Sequence, residues 1–103
     1  MNKKAIVSII NVMIQNINSE AAQRDFAKGA FLAKESVLSG NPVPSLEGEE
    51  RIYEWMAGDI LTAIKNGKNA ILELISEYNT GYELYYSTEA DDDEVDEKEL
   101  VTA

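Results

Sequence analysis

Nineteen of the 103 residues are Asp or Glu, and none is His or Cys. Chemistry in this chain therefore starts from carboxylates. Without Cys there is no disulfide, no thiolate metal site and no Cys nucleophile, and without His the commonest general base is gone. A desolvated Lys, Tyr or Ser is the only other resource, and no spacing in the chain announces one.

Two groups of carboxylates stand out. The first is Glu50, Glu54 and Asp59, which fall within one helical segment with Glu35 near the end of the helix before it. Asp59 lies among Met56, Ile60 and Ala63, at the edge of an apolar stripe. A charge there either pairs with a cation such as Arg24 or Lys28, or lines a polar pocket as a metal ligand with Glu54 or Glu50. The second reading permits an enzyme, a Mg²⁺-dependent nucleotide pyrophosphohydrolase of the all-helical kind, whose carboxylates sit on facing helices. Met56 stands where an ExxD motif ending at Asp59 needs its acid, so the chain is not assigned to that family.

The second group is a run. Residues 89–99 hold eight carboxylates against the single Lys98, a net −7 that leaves −3 for the rest of the chain. Asp91, Asp92, Asp93, Glu94, Asp96 and Glu97 are its centre. The run lacks the Gly and terminal Glu spacing of a calcium-binding EF-hand loop. Its composition implies a solvated, disordered tail, either simply solubilising or a polyanion for a basic groove. With a formal net charge of −10 and a pI near 4.3, direct binding to nucleic acid or to anionic membranes is disfavoured. Positively charged protein surfaces are the expected partners.

The elements that position these groups follow from hydrophobic period. A domain of this size buries only about two-thirds of the surface its unfolded chain exposes, so a single thin core is expected, extended by self-association. Ile6, Ile9, Ile10, Met13, Ile14 and Ile17 recur at offsets of three and four and predict a first helix. Ile6, Ile10, Met13 and Ile17 have heptad spacing, which makes that seam a candidate interaction surface. Lys3 and Lys4 ahead of the apolar stretch from Ala5 to Ile14, with Ser19-Glu20-Ala21 following, have the order of parts in a signal peptide. The helical period favours a retained core helix instead, and with it a cytoplasmic protein. No run reaches the ~18 apolar residues of a membrane span.

Ser19 is an N-cap for a second helix to about Leu38, with Ala22, Phe26, Ala30, Ala33 and Val37 as its stripe and Phe31 and Leu38 widening it. Gly29 inside that helix implies a close helix crossing, and Gly40 with Pro42 ends it. The loop SGNPVPSLEGE follows, with Val43 and Leu46 as anchors. A third helix is predicted from Glu47 to Asn66, with Ile52, Trp55, Met56, Ile60, Ala63 and Ile64 as its stripe and Gly58 as another crossing point or a local kink. Gly67 terminates it. A fourth runs from about Asn69 to Tyr78 with Ile71, Leu72, Leu74, Ile75 and Tyr78 inward, stopped by Asn79-Thr80-Gly81. Tyr82 to Tyr86 reads as a short strand or an aromatic flap.

The expectation is an all-α protein: a compact bundle of about four helices over residues 1–88 and an acidic tail over 89–103. Tyr53 and Trp55 add an aromatic recognition patch to the partner-binding candidates. The leading function is a non-enzymatic interaction module, a small regulator, inhibitor or assembly factor. The alternatives are a nucleic-acid mimic that blocks a DNA- or RNA-binding protein, and the Mg²⁺ hydrolase above. No metal or cofactor is expected under the leading reading, and a homo-oligomer is.

Overall fold

The computed structural model describes the backbone of residues 1–93 and the side chains of residues 1–80. Among these residues there are four α-helices and no strand: α1 (Lys3–Gln15), α2 (Glu20–Ser39), α3 (Arg51–Asn66) and α4 (Lys68–Asp93), with a 3-10 turn at Gly48–Glu50 before α3. The all-α compact bundle is thus the architecture.

Each helix end has a local cause. Asn2 caps α1, its side chain accepting from the Ala5 N–H at 2.8 Å, and Ser19 caps α2 by accepting from Ala22. At the other end of α1 the Asn16 and Ile17 N–H groups donate to the Val12, Met13 and Ile14 carbonyls, and side chains add to these bonds. Gln23 Nε2 donates to the Ile14 and Ile17 carbonyls, and Asn16 Nδ2 donates to that of Val12. Gly40 closes α2 at φ 79, the left-handed conformation expected of it. Lys3 Nζ reaches across from α1 to the Leu38 carbonyl, a cation placed at a helix C-terminus.

The core is assembled from one stripe per helix. Ile10, Met13 and the post-helical Ile17 meet Ala22, Phe26, Ala30 and Ala33 of α2, Met56, Ala57, Ile60, Ala63 and Ile64 of α3, and Leu74 of α4. Lys34 Nζ to Asn11 Oδ1 at 2.9 Å, with the Gln23 and Lys3 bonds, fixes α1 antiparallel to α2. Gly29 is the close crossing of α2 with α3: a Cβ there would stand 2.5 Å from Met56 Cβ. The loop is anchored, with Val43 packed against the core and the Leu46 N–H donating to Glu54 Oε1 at 2.8 Å.

Several expectations are corrected. Phe31 and Leu38 do not widen the α2 face; they are exposed on its outer side, and Leu72 of α4 is exposed too. The α3 stripe is rotated, so that Ala57 is buried and Ile52 and Trp55 face outward. Gly58 is no crossing point, since a Cβ there meets nothing within 4 Å. Removing glycine's backbone freedom without a clash leaves only the gain in helix propensity, so Gly58→Ala is expected to stabilise the protein by up to ~1 kcal/mol. A shift of the urea midpoint upward, at unchanged slope, is the measurement.

The largest correction concerns α4. It does not stop at Asn79-Thr80-Gly81, and residues 82–86 are neither strand nor flap but helix. Of the expected acidic tail over 89–103, residues 94–103, with Glu94, Asp96 and Glu97, lie outside the described residues. α4 runs through this expected stop, and the Asn79 side chain bonds to the α1–α2 turn. Its Oδ1 accepts from the Asn18 N–H at 2.8 Å and its Nδ2 donates to the Asn16 carbonyl at 3.1 Å. This two-bond clamp ties α4 to the α1–α2 turn. Asn79→Ala is expected to cost about 1 kcal/mol, the net worth of such bonds at a half-exposed site, and to accelerate amide exchange at Asn18.

Candidate interaction surface

Four surface features bear on function. The first is the heptad seam of α1, which the structure turns inward. Ile10, Met13 and Ile17 are between 0 and 3% exposed, and Ile6 is half-buried against the same core. These side chains are spent on the intrachain core, because a three-four apolar repeat serves neighbouring helices of its own chain as well as it serves a partner. What α1 offers outward is its other flank.

That flank forms the second feature. α1 packs on α2, and α4 packs on α3; α1 and α4, joined at one end by the Asn79 clamp, also face each other across an open groove of about 310 Å³. Ile9, Val12 and Met13 wall it on one side and Ile71, Leu72 and Ile75 on the other, with Ser8 and Asn16 as its polar members. Among the described residues no charged side chain lines it. Sequence reasoning missed this groove, although the excess of apolar residues around α1, with Val12 outside the seam, was the signal available.

The third is aromatic. Trp55 is 58% exposed on α3, beside the exposed Ile52. Tyr53 is not part of the same patch: it is half-buried against the core, with Lys28 Nζ 5.3 Å from its ring centroid in cation–π geometry. Trp55 thus remains an outward candidate and Tyr53 belongs to the α2–α3 packing.

The fourth is the carboxylates. Among the described residues no three His, Cys, Asp or Glu side chains come together in a group that could hold a metal ion. Glu35, Glu50 and Asp59 are exposed, and Glu54 is occupied in holding the loop through Leu46. Glu50, Glu54 and Asp59 are therefore not assembled as one site, and Asp59, being solvated, needs no buried cation. Its field acts on Tyr78, whose ring packs edge-on against Phe26 with centroids 5.0 Å apart. Burial, reinforced by the negative charges of Asp59 and Glu77, pushes the Tyr78 phenol well above its ordinary value of 10. The sign of the consequence is fixed. A group whose pKa is raised on folding lends stability that is complete below the unfolded value and lost as pH climbs beyond it. Stability should fall from about pH 10 upward, and Tyr78→Phe should flatten that decline in pH-dependent urea titrations.

Asp91, Asp92 and Asp93 occupy the last residues of α4. No helix among the described residues is long and apolar enough to cross a membrane. Comparison with known proteins finds no matching family model, no matching curated relative and no matching solved structure.

Proposed function

We propose that this chain is a non-enzymatic protein-interaction module, a small regulator, inhibitor or assembly factor that docks on a basic surface of a partner protein. The observation that carries this reading is the concentration of charge: residues 89–99 hold −7 of the total −10. The first of these acids ride on α4, a helix rooted in the core through Leu74 and Tyr78. At a rise of about 1.5 Å per residue, Asp93 stands roughly 20 Å along the axis beyond Asn79.

Asp91, Asp92 and Asp93 are consecutive on α4, and no basic residue stands among its last described residues. The resulting repulsion is relieved by an external cation, and a basic protein surface supplies many. Trp55, large and outward-facing, supports the same reading as an apolar anchor for such a contact.

The test uses the full chain as bait against a variant in which Asp91, Asp92, Asp93, Glu94, Asp96 and Glu97 are replaced by their amides, and against Trp55→Ala. The expected partner is basic, is released by salt, and is lost to the neutralised variant. Trp55→Ala is expected to weaken it roughly tenfold. If nucleic acid competes for the same surface of that partner, the module acts as a mimic. Equal recovery of the same partner by the neutralised variant rejects the proposal.

A further inference from the structure

We infer that Asn66-Gly67, the joint between α3 and α4, is a deamidation site at which the chain converts its own Asn66 to an aspartyl or isoaspartyl residue, the latter loosening the start of α4. Water is the only co-reactant. The Gly67 amide nitrogen loses its proton and attacks the Asn66 side-chain carbonyl carbon. The new C–N bond closes a succinimide, the bond to Nδ2 breaks, and ammonia leaves with the proton. Water then opens the ring at either carbonyl. Both products add a negative charge, and the isoaspartyl one carries the main chain through the former side chain, longer by a methylene. Asn is a thermolabile residue, and a following residue without Cβ leaves its nitrogen open to attack. Of the eight asparagines only Asn66 is followed by Gly.

The fold requires the glycine that makes the site reactive. α3 ends at Asn66 and α4 begins at Lys68, so one residue turns the chain, and Gly67 does so at φ 110 and ψ −177, a conformation essentially confined to glycine. Space around it is open, since a Cβ there would meet nothing within 4 Å. Asn66 is exposed, and among the described residues no hydrogen bond holds its side-chain amide. The side chains of Asn2, Asn11, Asn16 and Asn79 are each held, by the Ala5 N–H, Lys34, the Val12 carbonyl and the α1–α2 turn. Asn41 precedes Pro42, whose nitrogen has no proton to lose, and Asn18 and Asn69 precede residues with a Cβ. Lys65 and Lys68 flank the pair, both exposed, and their charge favours the deprotonated nitrogen. One bond opposes the attack: the Gly67 N–H donates to the Ala63 carbonyl at 3.0 Å, the last bond of α3. Fraying of the helix end breaks it without unfolding the bundle. The Gly67 carbonyl in turn accepts the first bond of α4, from the Ile71 N–H at 3.1 Å, so lengthening the chain at Asn66 displaces both.

The full chain, held in mildly alkaline buffer with and without urea, is cleaved at glutamates, and each asparagine is followed by tandem mass spectrometry. Asn66 is expected to gain the amide-to-acid mass before any other asparagine, with isoaspartate among its products. One hydrogen bond at an exposed helix end restrains the reaction by no more than roughly tenfold, so the folded chain should react within about tenfold of the unfolded one. Reaction only through global unfolding would be slower by at least about 10³-fold. Asn66→Gln should abolish the modification, with helical circular dichroism retained. Asn66→Asp supplies the charge without the methylene, so the isoaspartyl product should exchange the Ile71 amide severalfold faster than this variant does. An Asn66 that stays intact in the folded chain, one slowed there by about 10³-fold, or another asparagine reacting first overturns the site. Equal exchange at Ile71 in the isoaspartyl product and in Asn66→Asp overturns the loosening of α4.

Discussion

Phe26→Ala is expected to destabilise the protein by about 3–5 kcal/mol, a large fraction of the roughly 5–15 kcal/mol that holds a domain folded. The Phe26 ring is fully buried and meets the Tyr78 ring edge-on, at 73° between planes. Truncation removes the transfer energy of the ring and leaves a cavity between α2 and α4. Small neighbours cannot close it. Ala22, Ala30 and Ala33 have no side-chain reach, and the backbones around Gly29 are already in close approach. Phe31→Ala, five residues on in the same helix, removes the same ring from an exposed position and should change stability by less than about 0.5 kcal/mol. Urea unfolding followed by circular dichroism measures both. A similar loss for the two variants would mean that the α2 face is not oriented as described.

This pair also marks how far the sequence was legible. The helical period exposed α1, α2 and α3 because buried residues recur once per turn, and Ser19 and Gly40 announced the ends of α2. It did not orient them fully. Phe31 lies five residues from Phe26, about 140° around the helix, yet its apolarity alone made it a candidate for the core. Ile52, Trp55 and Leu72 were misplaced for the same reason: composition supplies the apolar residues, and the crossing angle of the neighbouring helix decides which are covered. α4 was cut short by a local rule. Asn-Thr-Gly is a stop signal where the Asn or Gly takes the left-handed backbone conformation, but α4 runs on through it, and the Asn79 amide is engaged by Asn18 and Asn16, 61 and 63 residues away in the chain.

The candidate surfaces were legible to different degrees. The acidic run is a property of composition and could be read directly. Glu54 was singled out as a carboxylate with work to do, but its work is to accept from Leu46 and hold the loop, which depends on the fold of residues 40–47. The groove required knowing that α1 and α4 end up as the outer helices of the bundle. No periodicity within either helix encodes that adjacency; it shows in the Asn79 bonds to Asn16 and Asn18 and in the groove both helices line.

Gly29→Ala is the sharper test of the bundle itself, expected to cost about 1–3 kcal/mol although alanine is the better helix former by about 1 kcal/mol. The added methyl would lie 2.5 Å from Met56 Cβ, closer than carbon atoms approach, with Met56 Sδ at 3.0 Å as the second obstacle. Because the nearest atom is a Cβ, no rotamer of Met56 relieves the contact. α2 and α3 must separate, and the buried row of Ala30, Ala33, Ala57 and Ile60 loses contact with them. This gives the effect a signature. Met56→Ala keeps its own Cβ, so Gly29→Ala should remain destabilising in that background, whereas a clash with the thioether alone would vanish. Gly58→Ala, two residues beyond Met56 but with open space around it, should move stability the other way. Chemical denaturation of the two alanine variants therefore yields opposite signs if α2 and α3 cross at Gly29, and the same sign if glycine matters to these helices only through propensity.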